Sequence, residues 1–255
     1  MTEQEIFSYL DAKADEFNHP EYIEQDPLQI PHLFTEAQDI EISGFFAATI
    51  AWGNRKSIVN NAKKIIDFMG NSPYDFVMNA QDKDFDTIIG KSVHRTFNGE
   101  DFKYFVFNLR RLYEKHPSLS YYFETLPEEL NFYHALERFR SSFLNGQNHR
   151  GNKHVSSTYK NSAAKRLMMF LRWMVRKDSR GVDLGIWNHL QPSKLSCPLD
   201  VHSGNIARQL GILHRKQNDW RAVEELDISL RKYNKEDPAL YDFALFGLGV
   251  TKELV

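Results

Sequence analysis

The stretch "SCPLDVHSGNIARQLGIL", residues 196–213, sets one acid between a proline turn and a helix. Pro198 keeps Cys197 extended, because a residue before proline avoids the helical region. Asp200 comes next as an N-cap, Ile206, Ala207 and Leu210 bury one side of the helix, and Gly211 stops it. His202, Asn205 and Arg208 or Gln209 lie on the other side. Read alone, the stretch makes Asp200 a structural cap. A second reading, in which the helix is the mount for a carboxylate, depends on what lies around it.

The same helical grammar runs outward in both directions. In "DIEISGFFAATIAWGNRKSIVNNAKKIIDFMG", apolar residues recur at helical intervals, break at Gly53 and resume to Gly70, which predicts a helix–turn–helix pair. "NSPYDFVMNA" supplies a turn and a short helix start. "GEDFKYFVFNLRRLYEKHPSL" predicts a further helix ending near Pro117, and "LPEELNFYHALERFRSSFLNG" another, with Pro127 in its first turn and Gly146 beyond its end. Strand signals are almost absent, so the expected fold is all-α. Residues 147–162, "QNHRGNKHVSSTYKNS", lack periodicity and read as a basic loop.

Composition sets the limits. A chain of 255 residues, 42% hydrophobic and 13% aromatic, carries enough apolar surface for one large domain or two small ones. Mean hydropathy is -0.52, and no apolar run approaches the length of a membrane span. The N-terminus is acidic and amphipathic, without the basic start and apolar stretch of an export signal, so the expected location is cytoplasmic. The single cysteine, Cys197, excludes an internal disulfide, a cysteine-ligated iron–sulfur cluster and a multi-cysteine zinc site. No metal or cofactor is expected.

Charge is distributed unevenly. Residues 1–50 hold eleven acids and one base, Lys13, whereas residues 141–180 hold nine Lys or Arg against one acid, Asp178. Such a local field concentrates phosphate ligands even on a chain of net charge -2. The alternative is a solvated helix face balanced by the acidic end.

The segment "NSAAKRLMMFLRWMVRKDSRG" predicts a helix capped by Asn161 or Ser162, with Ala164, Leu167, Met168, Leu171 and Val175 in one apolar stripe. Lys165, Arg172 and Arg176 form a second stripe about 100° round from it. Lys165 therefore stands at the helix start, beside the buried face and at the positive end of the helix dipole, a setting that suits an amine nucleophile. An ordinary solvated or phosphate-facing lysine is the commoner outcome.

Taken with its neighbours, "CPLDVHSGNIARQLGIL" resembles the segment of helix–hairpin–helix DNA glycosylases that carries the catalytic aspartate at a helix N-terminus. "WRAVEELDISLRKYNKEDPALYDFALFGLG" is similar to the helices beyond that aspartate in those enzymes, and "ISGFFAATIAWGNRKSIVNNAKKIIDFMGNSPYDF" to their opening helix pair. Over nearly the whole chain, "SAAKRLMMFLRWMVRKD", "GVDLGIW" and "YDFALFGLGV" resemble an uncharacterised bacterial domain-of-unknown-function family (DUF2400-like), with the glycosylase likeness more remote.

The resemblance implies two helical subdomains with a cleft between them, residues 42–165 and residues 1–41 with 166–255. It implies Asp200 as the acid that stabilises a sugar cation, and Lys165 as the amine that attacks C1′ of a flipped nucleotide. The Lys165-to-Asp200 spacing is closer to the archaeal 8-oxoguanine type, which points to an oxidised purine. Trp52, Asn54, Trp173 and His202 would meet the base, with Trp173 equally a core residue. Arg150, Lys153, Lys160, Arg166, Arg172 and Arg208 would meet DNA phosphates. "TYKNSAAK" lacks the glycine-rich hairpin whose amides grip a phosphate, so Lys160 and Arg166 would replace part of that grip. Lys194, six residues before Asp200, is a rival for the amine role.

These residues support three readings: a glycosylase with abasic-site lyase activity on duplex DNA, a non-catalytic DNA-binding protein that keeps the fold, and a helical protein unrelated to nucleic acid. None implies a membrane or an obligate protein partner.

Overall fold

The computed structural model describes residues 1–252. The described residues are mostly helical. In chain order they form α1 (Glu3–Phe17), α2 (Ala37–Thr49), α3 (Arg55–Phe68), α4 (Pro73–Asn79), a hairpin of β1 (Ser92–His94) and β2 (Phe97–Asn98), then α5 (Gly99–Tyr113), α6 (Tyr133–Leu144), α7 (Lys165–Val175), α8 (Val201–Gln209), α9 (Trp220–Arg231) and α10 (Tyr241–Thr251). Short 3-10 turns link several of them. The hairpin strands are antiparallel, with His94 opposite Phe97 and an irregularity between Ser92 and His94. No described helix is long and apolar enough to cross a membrane.

The chain divides into two compact units. One comprises Ile23–Glu124 and Ala135–Val155. At its centre is α2, in which every residue from Ile40 to Thr49 is buried, so it has no solvent face to pattern. Around it packs an aromatic core: Phe105 lies 6.0 Å from Phe45 and 4.9 Å from Phe143, and Phe123 stacks on Phe139 at 4.3 Å. Each such ring contributes roughly 1.5–3 kcal/mol when removed from water. Glu41, buried in α2, is satisfied by the Tyr113 hydroxyl at 2.7 Å, the Ser118 hydroxyl at 2.5 Å and the Leu119 N–H at 2.9 Å. Burial and the adjoining Glu41 carboxylate push the Tyr113 phenol well up.

The other unit comprises Met1–Tyr22, Thr125–His134 and the chain from Ser156 onward, so both chain ends belong to it. Here α10 packs against α1 and α8. The α1 contact is close because Gly247 has no side chain: a Cβ there would stand 2.3 Å from the Phe17 ring. The Tyr241 hydroxyl donates to Asp11 at 2.9 Å and ties the start of α10 to the same helix.

Two expected helix starts are displaced. Pro127 does not open α6: Glu129 folds back to accept from the Leu126 N–H, and the Asn131 side chain accepts from the Tyr133 N–H, so the helix begins at Tyr133. Neither Asn161 nor Ser162 is the N-cap of α7. Ser162 accepts from the Ala164 N–H, Asn161 (φ 61°) and Ala164 (φ 47°) both turn left-handed, and α7 begins at Lys165 with no side-chain cap.

Candidate active site

Lys165 and Asp200 meet in the unit that holds both chain ends. The Lys165 Nζ lies 3.5 Å from the Asp200 Oδ2, with the two side chains 24% and 23% exposed. Local structure dictates each position. Asp200 is the N-cap of α8, and one of its oxygens, Oδ1, accepts from the His202 N–H at 2.8 Å and the Ser203 N–H at 3.1 Å. Ser203 completes the capping box by accepting from the Asp200 N–H at 3.0 Å. Oδ1 thus caps the helix while Oδ2 faces the amine.

Residues that the sequence did not single out frame the pair. Lys165 Nζ lies 3.5 Å from the Met169 sulfur and 5.7 Å over the Phe246 ring. Met169 is one helical turn beyond Lys165, so this contact was legible in the spacing. Asn218 was not. Its amide donates to the Asp200 carbonyl at 2.8 Å and its oxygen accepts from Arg208 at 2.5 Å. A Cβ on Gly204 would stand 2.8 Å from that oxygen, so a side chain there would push Asn218 away from α8. Asn218 is eighteen residues beyond Asp200 in the chain, and no periodicity links them.

The basic stripe of α7 is not a phosphate-facing surface. Arg172 is buried, donating to Asp183 at 3.2 Å and pairing with Asp242. Arg176 is buried too, held by Asp178 at 2.7 Å, Asp237 at 2.9 Å and Asp183 at 3.3 Å. Both guanidinium groups lie over the Phe243 ring, at 4.4 and 5.2 Å. Burial pushes the Asp242 carboxyl up to about 6, against the attraction of Arg172 and Lys165. Arg172 therefore offers no charge to a phosphate; it neutralises acids inside the unit. Trp173 is fully buried and has no face for a base, which leaves its core reading.

The other expected residues separate by surroundings. His202 is exposed, its Nδ1 3.2 Å from the Gly249 carbonyl and its ring edge-on to Phe246 at 5.9 Å. Arg208 spends its guanidinium on the Arg215 carbonyl at 2.7 Å and on Asn218. Arg166 is half-buried, and burial draws its guanidinium down to about 10, still charged at neutral pH. Lys160 is exposed in the turn from Ser157 to Ser162, which Asn161 fastens to the start of α9 through Asp219 at 3.0 Å. Lys194 Nζ donates to the Glu129 carbonyl, so the rival amine is engaged with backbone.

Trp52, Asn54, Arg150 and Lys153 belong to the other unit. Asn54 caps α3, accepting from the Ser57 N–H at 3.1 Å. Trp52 is half-buried between two imidazoles, stacked on His154 at 5.6 Å and edge-on to His94 at 4.9 Å. The Trp52 carbonyl can only accept, so His94 Nε2, at 2.9 Å, carries the proton and Nδ1 accepts from Asn61 at 2.9 Å. Arg150 is committed to the buried Asp101 at 2.9 Å and the Thr96 carbonyl at 3.2 Å, and Lys153 is exposed.

No curated protein and no solved structure matches the chain. One family model does, over residues 26–251, nearly the full length of the chain. The chain belongs to the family described as "Protein of unknown function (DUF2400)".

Proposed function

We propose that the chain is a DNA base-excision glycosylase with abasic-site lyase activity, in which Lys165 is the nucleophile and Asp200 the charge-stabilising acid. The observation that carries this reading is the 3.5 Å approach of Lys165 Nζ to Asp200 Oδ2, at a carboxylate whose other oxygen already satisfies the helix cap. A base within a duplex must be turned out before its glycosidic bond can be reached, at a cost of a few kcal/mol that contacts to the enzyme offset. The neutral Lys165 amine attacks C1′ as the bond to the base breaks and the base departs with the electron pair; the ammonium so formed then gives its proton to the Asp200 carboxylate. Positive charge on the sugar is opposed by Asp200 while it lasts. The amine adduct then becomes a Schiff base, and loss of a 2′ proton expels the 3′ phosphate. Any damaged base suits this chemistry, with an oxidised purine the first to test.

Borohydride trapping on a duplex carrying an abasic site tests the reading. The wild type should give a covalent adduct that Lys165→Ala loses and Lys194→Ala keeps. An adduct unchanged in Lys165→Ala would remove the amine from its assigned role. A panel of duplexes, each with one modified base, then identifies the lesion.

A further inference from the structure

We infer that the trough between the turns at residues 24–29 and the exposed face of α3 is a binding site for the phosphodiester backbone of a nucleic-acid strand. The trough is about 430 Å³, lies wholly within one unit, and is lined on one side by Arg55, Lys56, Asn60 and Lys63 and on the other by Glu24, Gln25 and Gln29. Three cations thus face one carboxylate. In α7, by contrast, the clustered cations Arg172 and Arg176 are neutralised by four aspartates. Lys56 and Lys63, both exposed, form no ion pair or hydrogen bond among the described residues. Their charge is available to a ligand.

Shape and spacing select a polymer. The trough is open along one side, whereas a small ligand is normally enclosed over most of its surface. Lys56 and Lys63 are seven residues apart on one helix, about 10.5 Å along the axis at ~1.5 Å per residue. That span exceeds the ~3.4 Å axial rise of one nucleotide, so the two amines can meet different phosphates of one strand. Between the lysines, Asn60 offers an amide donor, and Gln25 and Gln29 offer two more from the opposite wall, the donor type that positions phosphates without reading sequence. Gln29 is already fixed, donating one hydrogen to the Glu24 carbonyl at 2.7 Å, so this wall is held in shape before a ligand arrives. Val59 supplies an apolar patch of the lining suited to a sugar. The acidic first fifty residues are therefore not uniformly hostile to polyanions: where they meet α3, they contribute mainly neutral amides.

The phosphate chemistry stands on the trough itself, and its assignment to nucleic acid rests on the proposed function. The test measures binding of an undamaged duplex by fluorescence anisotropy between about 50 and about 200 mM salt, where affinity reports phosphate contacts. The proteins are the wild type, the double variant Lys56→Gln/Lys63→Gln, and Glu24→Gln, each checked by circular dichroism and melting temperature. The double variant should keep its fold, bind about tenfold more weakly at the lower salt, and lower the slope of log affinity against log salt by about 2. Glu24→Gln should bind more tightly. A double variant with wild-type affinity and slope overturns the site, as does a wild type that binds no duplex. Inorganic pyrophosphate distinguishes the source. If it perturbs the lysine side-chain resonances of α3 while the double variant leaves duplex affinity unchanged, the trough serves free phosphates and the nucleic-acid assignment falls. Borohydride trapping on the same proteins separates the two readings. Duplex binding that depends on Lys56 and Lys63 without any trapped adduct sustains the trough and sinks the glycosylase.

Discussion

Asp200 divides its two oxygens between Oδ1, which accepts two helix N–H groups, and Oδ2, which stands 3.5 Å from the Lys165 amine. The two tasks are separable by substitution. Asparagine caps a helix about as well as aspartate, whereas alanine costs about 1 kcal/mol of stability. Asp200→Asn should therefore keep its denaturation midpoint, Asp200→Ala should lose about 1 kcal/mol, and both should slow borohydride trapping by about a hundredfold or more. A trapping rate in Asp200→Asn equal to wild type would leave the carboxylate with capping alone.

Under the proposed function, Asn218 is a positioning residue for the same acid. It touches no reacting atom, but its amide holds the Asp200 carbonyl at 2.8 Å and its oxygen is braced by Arg208. Asn218→Ala should reduce the single-turnover trapping rate by about tenfold while changing the duplex concentration at half-saturation much less, with about 1–2 kcal/mol of stability lost. Gly204→Ala, which drives a methyl into Asn218, should reproduce the kinetic effect. A stability loss with an unchanged trapping rate would make the contact purely structural.

Ala164 sits left-handed at φ 47°, immediately before α7, where glycine carries no Cβ penalty. Ala164→Gly should relieve that strain at the expense of a more flexible unfolded chain, giving a net stabilisation of up to about 1 kcal/mol. Equilibrium denaturation decides it: a loss as large as that would show that the methyl's packing, and not its backbone, governs the position.

The helices were legible because burial imposes a period. The break at Gly53 and the paired helices beside it emerge from spacing alone, and Asp200 as a cap is readable from its place after Pro198. The phosphate contact expected of Arg172 fails for a physical cause: it shares a face of α7 with Lys165 and Arg176, and a base on a helix reads as available until its counterions are known. Those counterions are Asp178 and Asp183, a few residues on, and Asp237 and Asp242, more than sixty residues away, which only tertiary structure brings to the same place. Asn218 escaped for the same reason. The segment before Lys165 lacks the glycine-rich run that the resemblance implies, and Asn161 and Ala164 take positive φ there without glycine. Backbone conformation there is set by the turn's own hydrogen bonds, among them Ser162 N–H to Ser157 carbonyl at 3.1 Å.

Asp227 provides a pH test independent of the Lys165–Asp200 pair. It is buried on α9, accepts from the Ser196 hydroxyl at 2.5 Å and lies 3.7 Å from Arg231, and burial pushes its carboxyl up to about 6. In the unfolded chain the same group titrates near its ordinary value of 3.8. Between these values the folded state keeps a proton that the unfolded state has released, so the stability due to this group is full below the lower value and is lost as pH rises through the upper one. Asp227→Asn preserves an acceptor for Ser196 and removes the titration. Relative to wild type, the variant should gain about 1–3 kcal/mol on passing from about pH 4 to about pH 7. Urea midpoints at three pH values across that range measure it, and parallel curves for the two proteins would show that Asp227 remains ionised throughout, its charge held by Arg231 against burial.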